Sequence, residues 1–233
     1  MAKSSNHEKL LLKRVTNDRF QTSLAMIREA AEKIWIDTPR IIQDYTDHSI
    51  YHSERLAGFA VKVLAANNGK GLSAEEVYLL LASIYLHDIG MQCDVIKFPE
   101  IKTLAETMGA SFDIEIRAQS ANQYSIDEQK DIRKNHQYLS IACIDYASRT
   151  GETVVGPAAQ TIPEELVDDL MDICKHHTKL AITDCPLAFT YDPTGRKQLV
   201  AAILRLSDEL DIDGRRVNIE AVKTFSLNPS NSV

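Results

Sequence analysis

The sequence predicts an all-α helical bundle, and three observations carry that reading. Apolar residues recur at helical spacing in one long segment after another. Only 9 Gly and 7 Pro punctuate the 233 residues. No alternating strand series, repeat period or Gly-rich phosphate loop appears, so nothing points to a parallel sheet or a nucleotide-binding α/β core.

The elements follow in order. "FQTSLAMIREAAEKIW" (Phe20 to Trp35) sets Leu24, Ile27, Ala31 and Ile34 on one helical face. "IYHSERLAGFAVKVLAAN" repeats that spacing through Leu56, Phe59, Ala60, Val63 and Leu64, and the glycines of "NNGKG" stop it. In "LSAEEVYLLLASIYLHD", Ser73 is the predicted N-cap and Glu76, three residues on, completes a capping box, with the helix running to about His87. Pro99 opens a helix to Met108, a polar stretch follows to Ser125, and Asp127 to Arg149 reads as one helix. "TGETVVGPAAQTIP" reads as loop, and Pro163 suits the first turn of a helix ending near Lys179. "AITDCPLAFTYDPTGRK" is irregular, and its "DPTG" turn suggests a short hairpin near 181–198. Arg196 to Ile212 is the last strong helix.

Composition excludes several roles. A net charge of -7 and a pI near 5.5 argue against a broad nucleic-acid surface, which needs clustered cations to neutralise phosphates. The longest apolar runs, such as Val77 to Leu86, fall short of the roughly 20 residues of a membrane span. The start "MAKSSNHEKLLLKR" lacks a signal peptide's apolar segment, so a cytoplasmic location without membrane contact is expected. Cys93, Cys143, Cys174 and Cys185 form no C-x-x-C pair, which speaks against a thiolate zinc site or a disulfide framework. Cys174, three residues before His177, reads as a buried thiol rather than a ligand.

The polar residues on the apolar helices carry the chemistry. His87 and Asp88 stand side by side at the end of an apolar run, where unpartnered burial would cost several kcal/mol. His52, His136, His176 and His177 lie beside other apolar faces, and Asp208 follows "ILRLS" as Asp88 follows "YLLLASIYLH". Singly, each reads as a satisfied core or surface group. As an ordered set on separate helices, they have the donor chemistry of a transition-metal site.

That order resembles the HD superfamily of metal-dependent phosphohydrolases. "HSERLAGFA" is similar to its first helix motif, "LHDIG" to its name-giving pair and "RLSDELD" to its last aspartate. The resemblance implies an HD-domain helical bundle in which His52, His87, Asp88 and Asp208 hold one metal. His136, His176 and His177 match the extra histidines of two-metal members, with Asp88 bridging. The chain departs from the cyclic-dinucleotide-cleaving HD-GYP branch, because Met91 stands in place of a lysine and no GYP motif is found. More loosely, "DYTDHSIYHSERL" and "SDELDIDGRR" resemble HD domains that precede Hsp90-like ATPase modules in larger bacterial proteins. With the turn-rich tail "TFSLNPSNSV", this suggests an amino-terminal fragment. The expected divisions are a helical extension over 1–45, the metal-binding domain over 46–216, and a tail over 217–233 that begins a further module.

Nitrogen and carboxylate ligands without thiolates favour Fe or Mn, with Zn, Ni, Co and Mg also compatible. The expected activity is hydrolysis of a phosphoester, a nucleotide or a related compound, by a metal-activated hydroxide at a dinuclear site. Asp88 is then catalytic. His48, four residues before His52, is a candidate substrate contact or proton donor. Among Arg55, Arg133, Lys134, Lys175, Arg205, Arg215 and Arg216, Lys175 and Arg205 are the favoured phosphate-binding cations because they neighbour proposed ligands. Two alternatives stay open: a non-catalytic metal-bound sensing domain regulating an adjacent ATPase module, and a diiron oxygenase. A small phosphorylated substrate, that module and a second copy of the chain are the partners considered.

Overall fold

The computed structural model describes residues 4–37, 40–42, 49–66, 71–117 and 124–211. Ten α-helices run through them: α1 (Asn6–Leu12), α2 (Asp18–Asp37), α3 (Ile50–Ala66), α4 (Ala74–Leu86), α5 (Pro99–Thr107), α6 (Ile126–Lys134), α7 (His136–Thr150), α8 (Gly156–Ala159), α9 (Glu164–Lys175) and α10 (Lys197–Leu210). Two 3-10 turns, Ile89–Gln92 and Ile182–Asp184, complete the regular structure.

The bundle is organised around α4. Every residue from Val77 to Leu86 is buried, as expected of a helix that is apolar all round. Helices α1, α2, α3, α9 and α10 pack against it. Ser73 caps its start as the sequence predicts, accepting from the Glu76 N–H at 3.1 Å while Glu76 accepts from the Ser73 N–H at 2.7 Å. The same box recurs at Ser5–Glu8 and Ser125–Glu128. Beyond α4, α7 packs on α5, α8, α9 and the turn at Ile89–Gln92, and α10 lies on α3, α4 and α9. Helices α1 and α2 share this core through Leu11, Phe20, Leu24 and Ile27. Buried Glu8 binds Arg28 of α2 at 3.1 Å and Tyr85 of α4 at 2.9 Å.

Four local expectations are corrected. The single helix over 127–149 breaks at Asn135, whose φ of -112° and ψ of 11° leave the helical range. The Asn135 amide donates to the carbonyls of Ser111 and Asp131, and its oxygen accepts from the Ser111 N–H, so a contact 24 residues away forces the break. His136 thereby becomes the first residue of α7. The helix from Pro163 ends at Lys175 rather than near Lys179, leaving His176 and His177 just past it. The loop after α7 contains the short α8, where Gly156 packs so closely on Gly151 that a Cβ would sit 2.1 Å from the Gly151 oxygen. The hairpin near 181–198 does not form, and no strand occurs among the described residues. Its turn exists, with the Thr194 N–H on Asp192 Oδ1 at 2.8 Å, but side chains of the bundle take the flanking backbone groups. Thr190 donates its N–H to Asp169, Gln198 donates its amide to the Cys185 carbonyl, and Arg196 donates its N–H to Glu76.

Candidate metal centre

Five segments bring their polar residues to one end of the bundle. His52 lies in the first turn of α3, His87 caps the end of α4 and Asp88 follows it. His136 opens α7, His177 stands two residues beyond α9, and Asp208 is in the last turn of α10. Except for His136 and Asp208, with side chains 14% and 24% exposed, these residues are nearly sealed from solvent.

Asp88 sits at the centre. Its Oδ2 is 3.0 Å from His87 Nε2 and 3.7 Å from His52 Nε2, and its Oδ1 is 3.3 Å from His136 Nε2 and 3.4 Å from His177 Nε2. Each carboxylate oxygen therefore faces one histidine pair. Within the pairs, the Nε2 atoms of His52 and His87 are 3.4 Å apart, and those of His136 and His177 are 3.0 Å apart. Asp208 Oδ1 joins the first pair at 3.4 Å from His52 Nε2, and this buried oxygen has no well-formed hydrogen bond.

The outer ring nitrogens explain why all four Nε2 atoms point inward. Nδ1 of His87, His136 and His177 each donates to the carbonyl three residues earlier, that of Ile84, Arg133 and Cys174 respectively. Nδ1 of His52 donates to Asp211 at 2.7 Å. Because carbonyl and carboxylate oxygens only accept, Nδ1 carries the proton in each neutral ring and Nε2 presents its lone pair to the centre.

Converging lone pairs around a carboxylate are unfavourable without a positive charge between them. Two atoms bound to one ion at about 2.1 Å, with an angle of about 90 to 110° between them, lie roughly 3.0 to 3.4 Å apart. The pair spacings fall in that range. The ligand atoms of His52, His87 and Asp208, and those of His87, Asp88 and His177, lie within 4.8 Å of one another, so each set can hold a metal ion. Burial opposes protonation of His52, yet Asp208, Asp211 and Asp88 raise its pKa overall, and Asp88 does the same for buried His87. Burial also opposes ionisation of Asp208 and Asp211, but His52 and neighbouring cationic groups hold both below the ordinary carboxylate range.

The turn after Asp88 ties the two halves together. Ser140 of α7 donates its hydroxyl to the His87 carbonyl and accepts from the Gly90 N–H at 2.9 Å. A Cβ at Gly90 would lie 2.3 Å from the His136 oxygen and 2.5 Å from the Ser140 nitrogen, so glycine here lets α7 bring His136 against Asp88.

Other predicted residues stand outside this core. His176 is buried and donates Nδ1 to the Asp172 carbonyl at 2.7 Å, but makes no hydrogen bond or ion pair with the other histidines or Asp88. Lys175 lies over the Tyr138 ring at 5.7 Å. Arg205 donates to the Leu180 carbonyl at 2.7 Å and pairs with Glu209 at 2.9 Å. Neither cation forms an ion pair with Asp88 or Asp208. His48, Arg215 and Arg216 lie outside the described residues. Cys174 is buried, and burial raises its thiol pKa, as suits an inert thiol. Sequence reasoning missed Asp211, Ser140 and Gly90. Asp211 alone had a local signal, since it lies three residues after Asp208 and so shares its helical side.

No helix among the described residues is long and apolar enough to cross a membrane. No curated protein and no solved structure matches the chain. The family model HD-CE, an HD-type domain, matches residues 42–231, which include every member of the cluster. With its His and Asp donors gathered around Asp88 and four-fifths of its length covered by that match, the chain belongs to the HD-CE family.

Proposed function

We propose that this protein is a metal-dependent phosphohydrolase that cleaves a phosphoester, a nucleotide or a related compound, at a dinuclear centre. One observation carries the reading: both oxygens of Asp88 are flanked by inward-facing imidazole pairs. His52, His87 and Asp208 would hold one divalent ion, His136 and His177 a second, and Asp88 both. Fe or Mn suits the nitrogen-rich set best. Such ions supply Lewis-acid activation of a water molecule and of a phosphoryl oxygen.

The chain's own residues fix the rest. The Nδ1 anchors hold each imidazole in one tautomer and one orientation, which keeps the centre assembled before substrate arrives. Buried Leu86 and Ile89 flank His87 and Asp88 in the chain, so these two polar residues sit between apolar neighbours shielded from water. His136 and Asp208, the two members with appreciable exposure, are where the centre meets solvent and so where a substrate would approach.

Protein purified without chelator is expected to retain transition metal by elemental analysis and to hydrolyse a member of a nucleotide phosphoester panel in Mn. Asp88→Ala should lose both metal and activity, whereas His136→Ala should keep part of the metal. Equal metal content in wild type and Asp88→Ala would sink the proposal. Tight nucleotide binding with no turnover in any metal would favour a sensing role beside an ATPase module, and oxygen consumption by the iron-loaded protein would favour oxygenase chemistry.

A further inference from the structure

Three of the four imidazoles anchor their outer nitrogen on a carbonyl of their own segment, and His52 does not. The reason lies in its position. The carbonyl three residues before it, on Ser49, already accepts from the N–H groups of His52 at 2.9 Å and Ser53 at 3.4 Å as α3 begins. Both of its lone pairs are used. An anchor for this ring must come from another element.

Helix α10 provides it from both sides. Asp208 Oδ1 lies 3.4 Å from His52 Nε2, and Asp211 Oδ2, at the cap of the same helix, accepts from His52 Nδ1 at 2.7 Å. Asp211 is itself 1% exposed and is gripped by Arg55 Nε, at 2.8 Å to one oxygen and 3.1 Å to the other. His52 and Arg55 are three residues apart on α3, as are Asp208 in the last turn of α10 and Asp211 at its cap. An H-x-x-R edge thus meets a D-x-x-D edge across the α3–α10 seam.

We infer that Asp211, held in place by Arg55, is the positioning residue for His52: it fixes the ring so that Nε2 faces Asp88 and Asp208, and makes that nitrogen a stronger donor than a carbonyl anchor would. The inference rests on the metal-binding reading for its consequence, but the ring geometry is testable without metal. A carboxylate behind a ligating imidazole sets its tautomer and raises its basicity, and losing such a partner typically weakens metal binding about 10- to 100-fold.

The test uses the full chain with three substitutions, Asp211→Ala, Asp211→Asn and Arg55→Met. First, nitrogen-15 NMR of the metal-free protein, at a pH where the imidazoles are neutral, reads each ring's tautomer. Asp211→Ala should shift the His52 signals toward a mixture of tautomers and leave those of His87 and His177, anchored on backbone carbonyls, in place. A merely structural role would move all of them or none, and either result overturns the inference. Asp211→Asn, which keeps an acceptor, should retain the tautomer and guards against a folding defect in the alanine variant. Second, Mn titration should show binding weakened about 10- to 100-fold in Asp211→Ala, less in Asp211→Asn, and intermediate in Arg55→Met. Wild-type affinity in Asp211→Ala would overturn the inference. Absence of Mn binding in the wild type itself would instead sink the metal reading, while the tautomer result would still decide the role of Asp211.

Discussion

Helix α10 contributes to two buried polar clusters, completed by α9 in one and by His177 just past α9 in the other, that solve the problem of internal charge differently. In the first, Lys197 reaches Asp169 at 2.8 Å and Asp172 at 2.7 Å, with its side chain only 2% exposed. Thr190 donates its N–H and hydroxyl to Asp169, so the carboxylate inside the protein is surrounded by donors. In the second, four imidazoles turn lone pairs toward Asp88, with Asp208 beside them. The first cluster contains its own cation. The second is arranged to receive one. A buried set of acceptors is therefore informative about function only after its donors have been counted.

Removing the internal cation should give the largest stability change. Lys197→Met leaves Asp169 buried without its charge partner, and breaking such a pair costs about 3–5 kcal/mol. Melting should fall by roughly 10 °C for a chain of this size. The loss should be the same with and without Mn, and a Mn-dependent loss would show that the two clusters are coupled.

The second test addresses the other cluster. Metal removal should destabilise by about 4 kcal/mol where the ion had been at a thousandfold excess over its Kd. This effect should depend on pH with a definite sign. In metal-free protein, the raised folded pKa values of His52 and His87 mean that their protonation stabilises the fold below the unfolded value of about 6.5, and that this contribution is lost as pH rises through the folded values. Metal binding needs the neutral rings and is favoured in the opposite direction. The gap in melting temperature between loaded and metal-free protein should therefore be wide at about pH 7.5 and shrink toward about pH 5.5. Coincident melting at the higher pH would mean that the cluster is satisfied without an ion.

The smallest effect sharpens the comparison. The Asp172 side chain is 35% exposed, so water can replace part of its pairing with Lys197. Asp172→Asn should cost about 1 kcal/mol or less by chemical denaturation, because exposed pairs are weak. A loss as large as that of Lys197→Met would make Asp172 rather than Asp169 the partner that matters.

Much of this molecule is legible locally. Ser73 and Glu76 declare the start of α4, Pro99 that of α5, and an unbroken apolar run declares the buried helix that ends at His87 and Asp88. The break at Asn135 is not legible, because its cause is Ser111 in a distant segment. The absent hairpin has a similar origin, since side chains on α4 and α9 take the backbone groups that a strand partner would have used. Among the site residues, His52, His87, Asp88, His136, His177 and Asp208 meet as their order suggests. His176 does not join them, and Asp211 enters unannounced.

The sequence by itself determined the helices and the order of the metal-type donors along them. It also required that His87 and Asp88, at the end of a buried helix, find partners. Periodicity, caps and burial act within a few residues, so the chain states them directly. Only the tertiary structure decided that Asp88 divides its two oxygens between two histidine pairs, that Gly90 admits α7 to the centre, and that Asp211, 159 residues from His52, holds its ring. Ring orientation depends on which acceptor lies behind each imidazole, and for His52 that acceptor arrives only when α10 packs on α3.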